Sequence, residues 1–196
     1  HHGVFDMAAF GAVPGLTIAA PMNEPELRNM MYTALGSGHP FMIRYPRGHG
    51  EGLPWRGEKF ETLPVGRGRR LREGADVALL TVGTVGNAAA RAAGRAAAEG
   101  VSVAHYDLRF VKPLDEALLD EVGRKFRRVV TVEDGSLRGG VGEAVAAFFN
   151  GRGYDVRVQR LGIGDEWVEH GTPGQLYALC GYDEEGILRA LLDTRA

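Results

Sequence analysis

Cysteine is nearly absent from this chain of 196 residues, which contains Cys180 and no other. A single thiol cannot form a disulfide within the chain, so the sequence excludes a disulfide framework and favours a reducing compartment. Long apolar runs are also missing, because no stretch approaches the roughly 18 apolar residues of a membrane span. The formal net charge of −2 gives no reason to expect nucleic acid or an anionic membrane as a partner.

Metal-ligand spacing is another pattern that the sequence lacks. His39, His49 and His105 are too far apart along the chain to suggest a metal site. Asp165 and His170-Gly171 are more typical of a capping and turn segment than of metal ligands. Cys180 lies near Leu176 and Leu179 on a predicted helix, which favours a packed and inert thiol over a nucleophile. We therefore predict no metal site in this chain.

Alternation of apolar runs and helix signals indicates an α/β protein. In a first unit we predict a strand over Gly15–Ala20, a helix over Glu24–Leu35 with Asn23 as N-cap, and a strand over Phe41–Tyr45. Two strands and one helix cannot cover both faces of a parallel sheet. We therefore expect the chain to be the C-terminal portion of a longer protein, or to pair with another polypeptide that supplies the rest.

A second unit begins at Asp76 and alternates more regularly. Such alternation predicts a mostly parallel sheet with helices on both faces and right-handed crossovers. The predicted strands are Val77–Val82, Val101–Leu108, Arg128–Glu133 and Tyr154–Leu161. The predicted helices are Val85–Glu99, Asp115–Phe126, Gly139–Asn150, Thr172–Cys180 and Asp183–Leu192.

Residues 51–74 have no long periodic pattern, and we predict a linker there with a short strand near Phe60–Val65. Two motifs, one in this linker and one in the second unit, can each be interpreted in two ways. The basic cluster Arg67–Arg72 could bind phosphate, but a solvated connector is favoured. Gly139–Gly142 could bind an anion at a helix N-terminus, but close packing of helix on strand is favoured.

Four basic side chains suggest chemistry on a phosphorylated substrate. Arg44 and Arg47 are predicted at the carboxyl end of a strand, where open α/β sheets collect ligands. Guanidinium groups bind phosphate bidentately, and the imidazoles of His1 and His2 can move protons near neutral pH. Because side chains alternate along a strand, Arg44 is expected to point away from Arg47 and to form a structural ion pair.

Several motifs then resemble one family, in order along almost the whole chain. They are His1–Asp6, Ala20-Pro21 followed by Glu24 and Glu26-Leu27, Arg44–Gly48, Asp107–Asp115, Val132–Gly135, Gly139–Gly142, and Gly162–Asp165 with Glu169–Gly171. The chain resembles the transketolase-like, thiamine-diphosphate-dependent family. This implies a three-layer αβα fold: the C-terminal half of a pyrimidine-binding domain (residues 1–50), a linker (51–74), and a transketolase C-terminal-like domain (75–196).

The resemblance implies an enzyme of this family that condenses pyruvate with glyceraldehyde 3-phosphate and releases CO2, supplying precursors of isoprenoids, thiamine and pyridoxal. In that interpretation His1 is catalytic, beside the reacting carbonyl, and Arg47 binds the substrate phosphate. The complete enzyme would use thiamine diphosphate and Mg²⁺, with no cofactor-binding or metal-binding residue assigned in this chain. No Gly-Asp-Gly motif is present, so we predict that the chain alone is inactive.

The implied partners are the N-terminal part of the same enzyme and the two substrates, in a homodimer with neither nucleic acid nor membrane. The expected location is the cytoplasm of a bacterium, or the plastid if the source is a plant. Two alternatives stay open at this point. The chain could belong to another thiamine-diphosphate enzyme, a transketolase or a 2-oxo-acid dehydrogenase β subunit, or it could be a non-catalytic assembly module.

Overall fold

A computed structural model describes residues 3–57 and 59–193, and its first unit contains two helices and two strands. Helix α1 (Asp6–Gly11) follows a short 3₁₀ turn, and strand β1 (Thr17–Ala19) leads into helix α2 (Glu24–Gly36) and strand β2 (Phe41–Ile43). Asn23 caps α2 as predicted, because its side-chain oxygen accepts a hydrogen bond from the Glu26 N–H at 3.1 Å. Helix α1 was not predicted.

The first unit shares its sheet with the second. Strands β1 and β2 pair in parallel, and strand β6 (Phe110–Lys112) pairs antiparallel with the other edge of β1, giving the order β2-β1-β6. The side chain of Phe110 is fully buried in a small core with Ala19, Met30 and Leu63. Since β6 comes from the second unit, the two units are joined through backbone hydrogen bonds as well as through side chains.

The second unit is built on a five-stranded sheet with the order β3-β5-β4-β7-β8, in which only β3 is antiparallel to its neighbour. Its strands are β3 (Arg69–Arg72), β4 (Val77–Val82), β5 (Val103–Asp107), β7 (Arg128–Ser136) and β8 (Arg157–Ile163). Its helices are α3 (Val85–Ala98), α4 (Glu116–Lys125), α5 (Val141–Gly151), α6 (Pro173–Leu179) and α7 (Glu184–Leu192).

Helices cover both faces of this sheet, as alternation along β4 shows. Val77 and Leu79 pack in one core with α3 and α7. Ala78 and Leu80 pack in a second core with α4 and α5. Strand residues alternate between faces, so one fully buried strand supplies both cores. The predicted three-layer fold with a mostly parallel sheet is therefore confirmed, and none of the described helices has the length and apolar character of a membrane span.

The strand predicted near Phe60–Val65 is wrong. That segment instead lies along α2, where its backbone donors meet side chains: the N–H of Leu63 donates to Thr33 Oγ1 at 2.8 Å, and the N–H of Glu61 donates to Asn29 Oδ1 at 3.3 Å. Side-chain acceptors on the helix replace the ladder that a strand would need.

The basic cluster Arg67–Arg72 contains strand β3, so the favoured interpretation as a solvated connector needs correction. The guanidinium groups of the cluster bind carboxylates of this chain: Arg67 pairs with Asp115, Arg69 with Glu26 and Asp107, and Arg70 with Glu73 and Glu121. Because Arg67, Arg69 and Arg70 are engaged in ion pairs within the chain, the structure does not favour the alternative of a phosphate site at this cluster. The three-part division at residues 50 and 74 stays a prediction.

Candidate active site

Of the predicted site residues, Arg47 lies beyond the carboxyl end of β2. His1 and His2 lie outside the described residues, so the catalytic role of His1 stays a prediction. Arg47 follows the end of β2 by four residues, and its side chain is exposed. Among the described residues no carboxylate forms an ion pair with its guanidinium. Arg47 is therefore available to an anionic ligand.

Arg44 has the opposite environment from Arg47, three residues away. Its side chain is 8% exposed, and its Nη2 lies 3.0 Å from Asp134 Oδ2 while its Nε lies 3.3 Å from Asp6 Oδ2. Burial alone would lower the pKa of the guanidinium, but the two carboxylates outweigh burial and raise that pKa. Arg44 thus forms an ion pair, as expected, although β2 ends at Ile43 instead of Tyr45 and strand alternation does not extend to Arg44.

Two buried carboxylates and two partly buried guanidinium groups join the first unit to the second. Glu26 on α2 accepts hydrogen bonds from Arg109 Nε at 2.7 Å, Arg109 Nη2 at 2.8 Å and Arg69 Nη1 at 2.9 Å. Arg69 also donates to Asp107 Oδ2 at 3.1 Å, and the N–H of Arg109 donates to Asp107 Oδ1 at 3.1 Å. We call Glu26, Arg69, Asp107 and Arg109 the buried charge cluster.

The buried charge cluster gives a structural role to Asp107 and Arg109 of the Asp107–Asp115 motif, for which the sequence alone suggested no role. Arg109 has a positive φ of 58°, a conformation that costs energy for a residue with a side chain. The bidentate pair with Glu26 and the bond to Asp107 hold it there. A charged residue at the end of the buried strand Val103–Asp107 was the sequence signal that could have identified this cluster.

The switch point of the larger sheet lies between β4 and β7, since the chain crosses to β5 on one side and to β7 on the other. Open α/β sheets bind ligands in the crevice at such a point. Here the first unit fills it: Met7 and Ala20 are buried in the same core as β4, and Met7 Cε lies 2.6 Å from where a Cβ on Gly135 would stand. The crevice is therefore used for packing between units.

The helix N-terminus at Gly139–Gly142 is also occupied from within. Glu133 accepts hydrogen bonds from the N–H groups of Val141 and Gly142, both at 2.8 Å. Burial raises the pKa of the Glu133 carboxyl, although these two N–H groups act against the shift. The structure therefore favours packing over anion binding at this motif, as predicted.

In the described part of the chain, we identify no set of residues suited to bind thiamine diphosphate or a divalent metal ion. No group of three or more His, Cys, Asp or Glu side chains in residues 3–57 and 59–193 could hold a metal ion. Two places that could have offered space or backbone N–H groups to a diphosphate, the switch point and the start of α5, are filled by Met7 and Glu133. These residues do not fit the cofactor, and we derive no step through it here.

Three other features marked by the sequence have structural roles. The Thr172 side chain and Gln175 form a capping box at the start of α6, close to His170. His39 shares a hydrogen bond with Thr17 Oγ1 at 3.0 Å. Cys180 is half-buried against the core of α3 and α7, and burial raises the pKa of its thiol. A high thiol pKa at a packed position is typical of an inert cysteine.

Acid should destabilise the chain through His105. Burial, with Arg69 and Arg72 nearby, lowers the pKa of His105 to about 4. The folded state then excludes a proton that the unfolded state binds below pH 6.5, so this contribution to stability is full above pH 6.5 and is lost as the pH falls towards 4. Asp107 acts in the opposite direction, because burial raises its pKa to about 6 and favours the folded state as the pH falls.

The His105→Gln variant should separate these two effects. At pH 7 it should be less stable than the parent chain, because a packed ring is lost. Between pH 7 and pH 4.5 that deficit should shrink by about 2–3 kcal/mol, since the variant no longer loses the His105 contribution. Urea unfolding at both pH values measures the change. A deficit that is the same at both would contradict the assignment.

Comparison with known proteins identifies the family. Residues 66–187 match the model of the transketolase C-terminal domain, and residues 1–51 match the model of the transketolase pyrimidine-binding domain. A solved structure titled "Split gene transketolase, inactive beta4 tetramer" superposes with a TM-score of 0.84 at 28% identity, covering 96% of this chain and 60% of that one. A transketolase mutant from Pichia stipitis gives a TM-score of 0.70 at 18% identity, covering 96% and 26%, and shows the fold alone.

Curated relatives with higher identity carry one name, 1-deoxy-D-xylulose-5-phosphate synthase. The protein from Bacteroides fragilis is 54% identical over all of this chain and 30% of its own length. That from Bacteroides thetaiotaomicron is 53% identical over 98% of this chain and 30% of its own length, and that from Symbiobacterium thermophilum is 44% identical over 95% and 29%. This chain spans about 30% of the length of the curated relatives. From the matched domains and the shared fold, we conclude that the chain belongs to the transketolase family.

Proposed function

We propose that this chain is part of a 1-deoxy-D-xylulose-5-phosphate synthase. The complete enzyme condenses pyruvate with glyceraldehyde 3-phosphate and releases CO2. The observation that carries the proposal is 54% identity, across the whole chain, to a relative of that name. Thiamine diphosphate, with Mg²⁺, supplies the chemistry that removes CO2 from pyruvate. The cofactor is bound mainly by the N-terminal part of the enzyme, which lies outside this chain. That N-terminal part is also a partner of this chain.

Arg47 binds the phosphate of glyceraldehyde 3-phosphate in this proposal. Its side chain is exposed at the carboxyl edge of the smaller sheet, whereas Arg44 is committed to Asp6 and Asp134. A phosphate monoester carries about −1.5 to −2 charges near neutral pH, and the planar fork of a guanidinium can bind two of its oxygens. An exposed and unengaged arginine suits that task better than a buried one.

His1 acts on the aldehyde of the same substrate. When the new carbon–carbon bond forms, the aldehyde oxygen gains negative charge and needs a proton or a hydrogen bond. An imidazole can supply either near neutral pH. The homodimer and the cytoplasmic location belong to this proposal as predictions.

The Arg47→Ala variant of the complete enzyme tests the substrate assignment. Losing a charge-assisted contact of about 1.5–3 kcal/mol should raise KM for glyceraldehyde 3-phosphate roughly ten- to hundred-fold, with little change in KM for pyruvate. The measurement is steady-state formation of 1-deoxyxylulose 5-phosphate with each substrate varied in turn.

Arg127→Ala is the matched control. Arg127 is an exposed arginine that pairs with the exposed Asp155, and it lies at the amino end of β7, the opposite edge of the larger sheet. The Arg127→Ala variant should have the same KM as the parent enzyme for both substrates. An unchanged KM for the acceptor in Arg47→Ala would favour a non-catalytic assembly module. Transfer of a ketol unit from a sugar phosphate, without CO2, would instead identify a transketolase.

A further inference from the structure

Arg44 is a buried guanidinium that contacts both structural units. Its Nη2 donates to the backbone oxygen of Asp134 at 2.6 Å and pairs with the carboxylate of the same residue, while its Nε pairs with Asp6. Its own N–H donates to the oxygen of Ala19 at 2.8 Å, which continues the pairing of β2 with β1. Asp6 and Asp134 therefore hold the side chain, the backbone N–H holds the main chain, and only 8% of the side chain is exposed.

Asp134 is fixed by the second unit. Besides Arg44, its carboxylate accepts hydrogen bonds from Tyr182 Oη at 3.0 Å and from Tyr177 Oη at 3.3 Å. Burial and the Asp134 charge raise the pKa of Tyr177 to about 12 and raise that of Tyr182 further, so both hydroxyls stay donors near neutral pH. Arg44 thus pairs with a carboxylate that is held by its place in β7, by Tyr177 of α6 and by Tyr182 just before α7.

Asp6 is the point at which Arg44 holds the start of the chain. The other carboxylate oxygen of Asp6 accepts a hydrogen bond from the N–H of Met7 at 2.7 Å, and Met7 is buried against the second unit. Asp6 lies five residues after His1, and Arg44 lies three residues before Arg47. One ion-pair group therefore holds both Asp6 and the segment that leads to Arg47.

We propose that Arg44 is a positioning residue of the condensation reaction: by pairing with Asp6 and Asp134 it fixes the chain between the end of β2 and Arg47 relative to the segment at Asp6. This inference rests on the proposed function. The Nε and Nη2 donors of Arg44 are engaged by Asp6 and Asp134, so we expect it to act through these neighbours. Displacing either segment should therefore weaken acceptor binding more than pyruvate binding.

The Arg44→Lys variant of the complete enzyme is the primary test. An ammonium group keeps the positive charge but cannot reproduce the planar fork that reaches Asp6 and Asp134 together. KM for glyceraldehyde 3-phosphate should rise about tenfold or more, while KM for pyruvate should change less than about twofold. A merely structural role would lower kcat through loss of active enzyme and leave both KM values in place.

A second variant covers the case in which Arg44→Lys does not fold. Asp6 is 24% exposed, so Asp6→Asn removes the charge at a less buried position and should shift the acceptor KM in the same direction. Arg95→Lys is the matched control, because that exposed arginine pairs with Glu184 and Glu185 on the distant α3–α7 face. It should behave as the parent enzyme.

The outcomes separate this inference from the proposed function. If the parent enzyme forms no 1-deoxyxylulose 5-phosphate, the proposed function fails. If the parent enzyme is active and Asp6→Asn and any folded Arg44→Lys keep the parent acceptor KM, or raise both KM values equally, the positioning role alone is wrong. A selective rise in the acceptor KM in either variant, absent from Arg95→Lys, supports it.

Discussion

Replacing Glu26 with glutamine should lower the free energy of unfolding by about 3–5 kcal/mol. Removing one partner from a buried ion pair leaves uncompensated charge in a medium of low polarity, and that is the range measured for such changes. Glu26 is the anion between Arg109 and Arg69, with contacts of 2.7–2.9 Å. Without the Glu26 carboxylate, the positive charges of Arg109 and Arg69 lie near each other, and Asp107 is the one carboxylate of the cluster left to balance them.

The structural consequence of this loss should extend beyond one helix. Arg109 keeps its left-handed backbone only while Glu26 and Asp107 hold it, and β6 begins at the next residue. Losing the pair should therefore loosen β6 from β1 and separate the two units. Urea unfolding of the 196-residue chain measures the free energy, and amide exchange at Phe110 reports on the β6–β1 pairing.

Asp155→Asn provides the comparison for Glu26→Gln. It also removes a carboxylate from an arginine pair, but both partners, Arg127 and Asp155, are largely exposed. Solvent screens such pairs, so the midpoint should stay nearly unchanged. If Glu26→Gln were as mild as Asp155→Asn, the buried charge cluster would not stabilise the joint between the units.

Replacing Gly140 with alanine should destabilise the chain by about 3 kcal/mol. An alanine Cβ at that position would stand 2.1 Å from the Ser136 backbone oxygen and 2.5 Å from Glu133 Oε2. Neither atom can retreat easily, because one belongs to β7 and the other is held by the N–H groups of Val141 and Gly142. Overpacking of this kind costs energy at the upper end of the usual range.

Gly94→Ala is the control for this substitution. Gly94 lies on the exposed side of α3, and an added Cβ there meets nothing within 4 Å. Alanine favours a helix over glycine, so this variant should gain about 0.5–1 kcal/mol. Urea midpoints measured on both variants test the contrast in sign, and a stable Gly140→Ala chain would mean that the start of α5 can move off β7.

Local patterns predicted most of the secondary structure. The fully buried strand Val77–Val82 and the capped helices α2 and α4 were predicted within one or two residues of their observed bounds. In these elements the decisive information is local: an apolar run, an N-cap side chain, or a glycine at the end. The ion pair of Arg44 was also expected, but β2 ends at Ile43, two residues before its predicted end, so the alternation on which that expectation was based does not extend to Arg44.

Patterns failed where the partner of a segment lies far away in the sequence. Phe60–Val65 has the composition of a strand, but Asn29 and Thr33 on α2 satisfy its backbone donors first. Arg69–Arg72 has the composition of a connector, but β5 offers a free edge and acidic side chains. No window of a few residues contains these partners, so propensity alone could not choose correctly.

By itself the sequence determined the αβα class, most of the helices and strands and the family motifs, because each depends on residues close together in the chain. It did not predict α1, β3 or β6. Only the tertiary structure decided what the charged residues of those motifs do. Glu26, Asp107, Asp134 and Arg44 come from four separate segments, and their charges are tolerable in the interior only because folding pairs them. The same pairing leaves Arg47 exposed at the edge of the sheet, where a ligand can reach it.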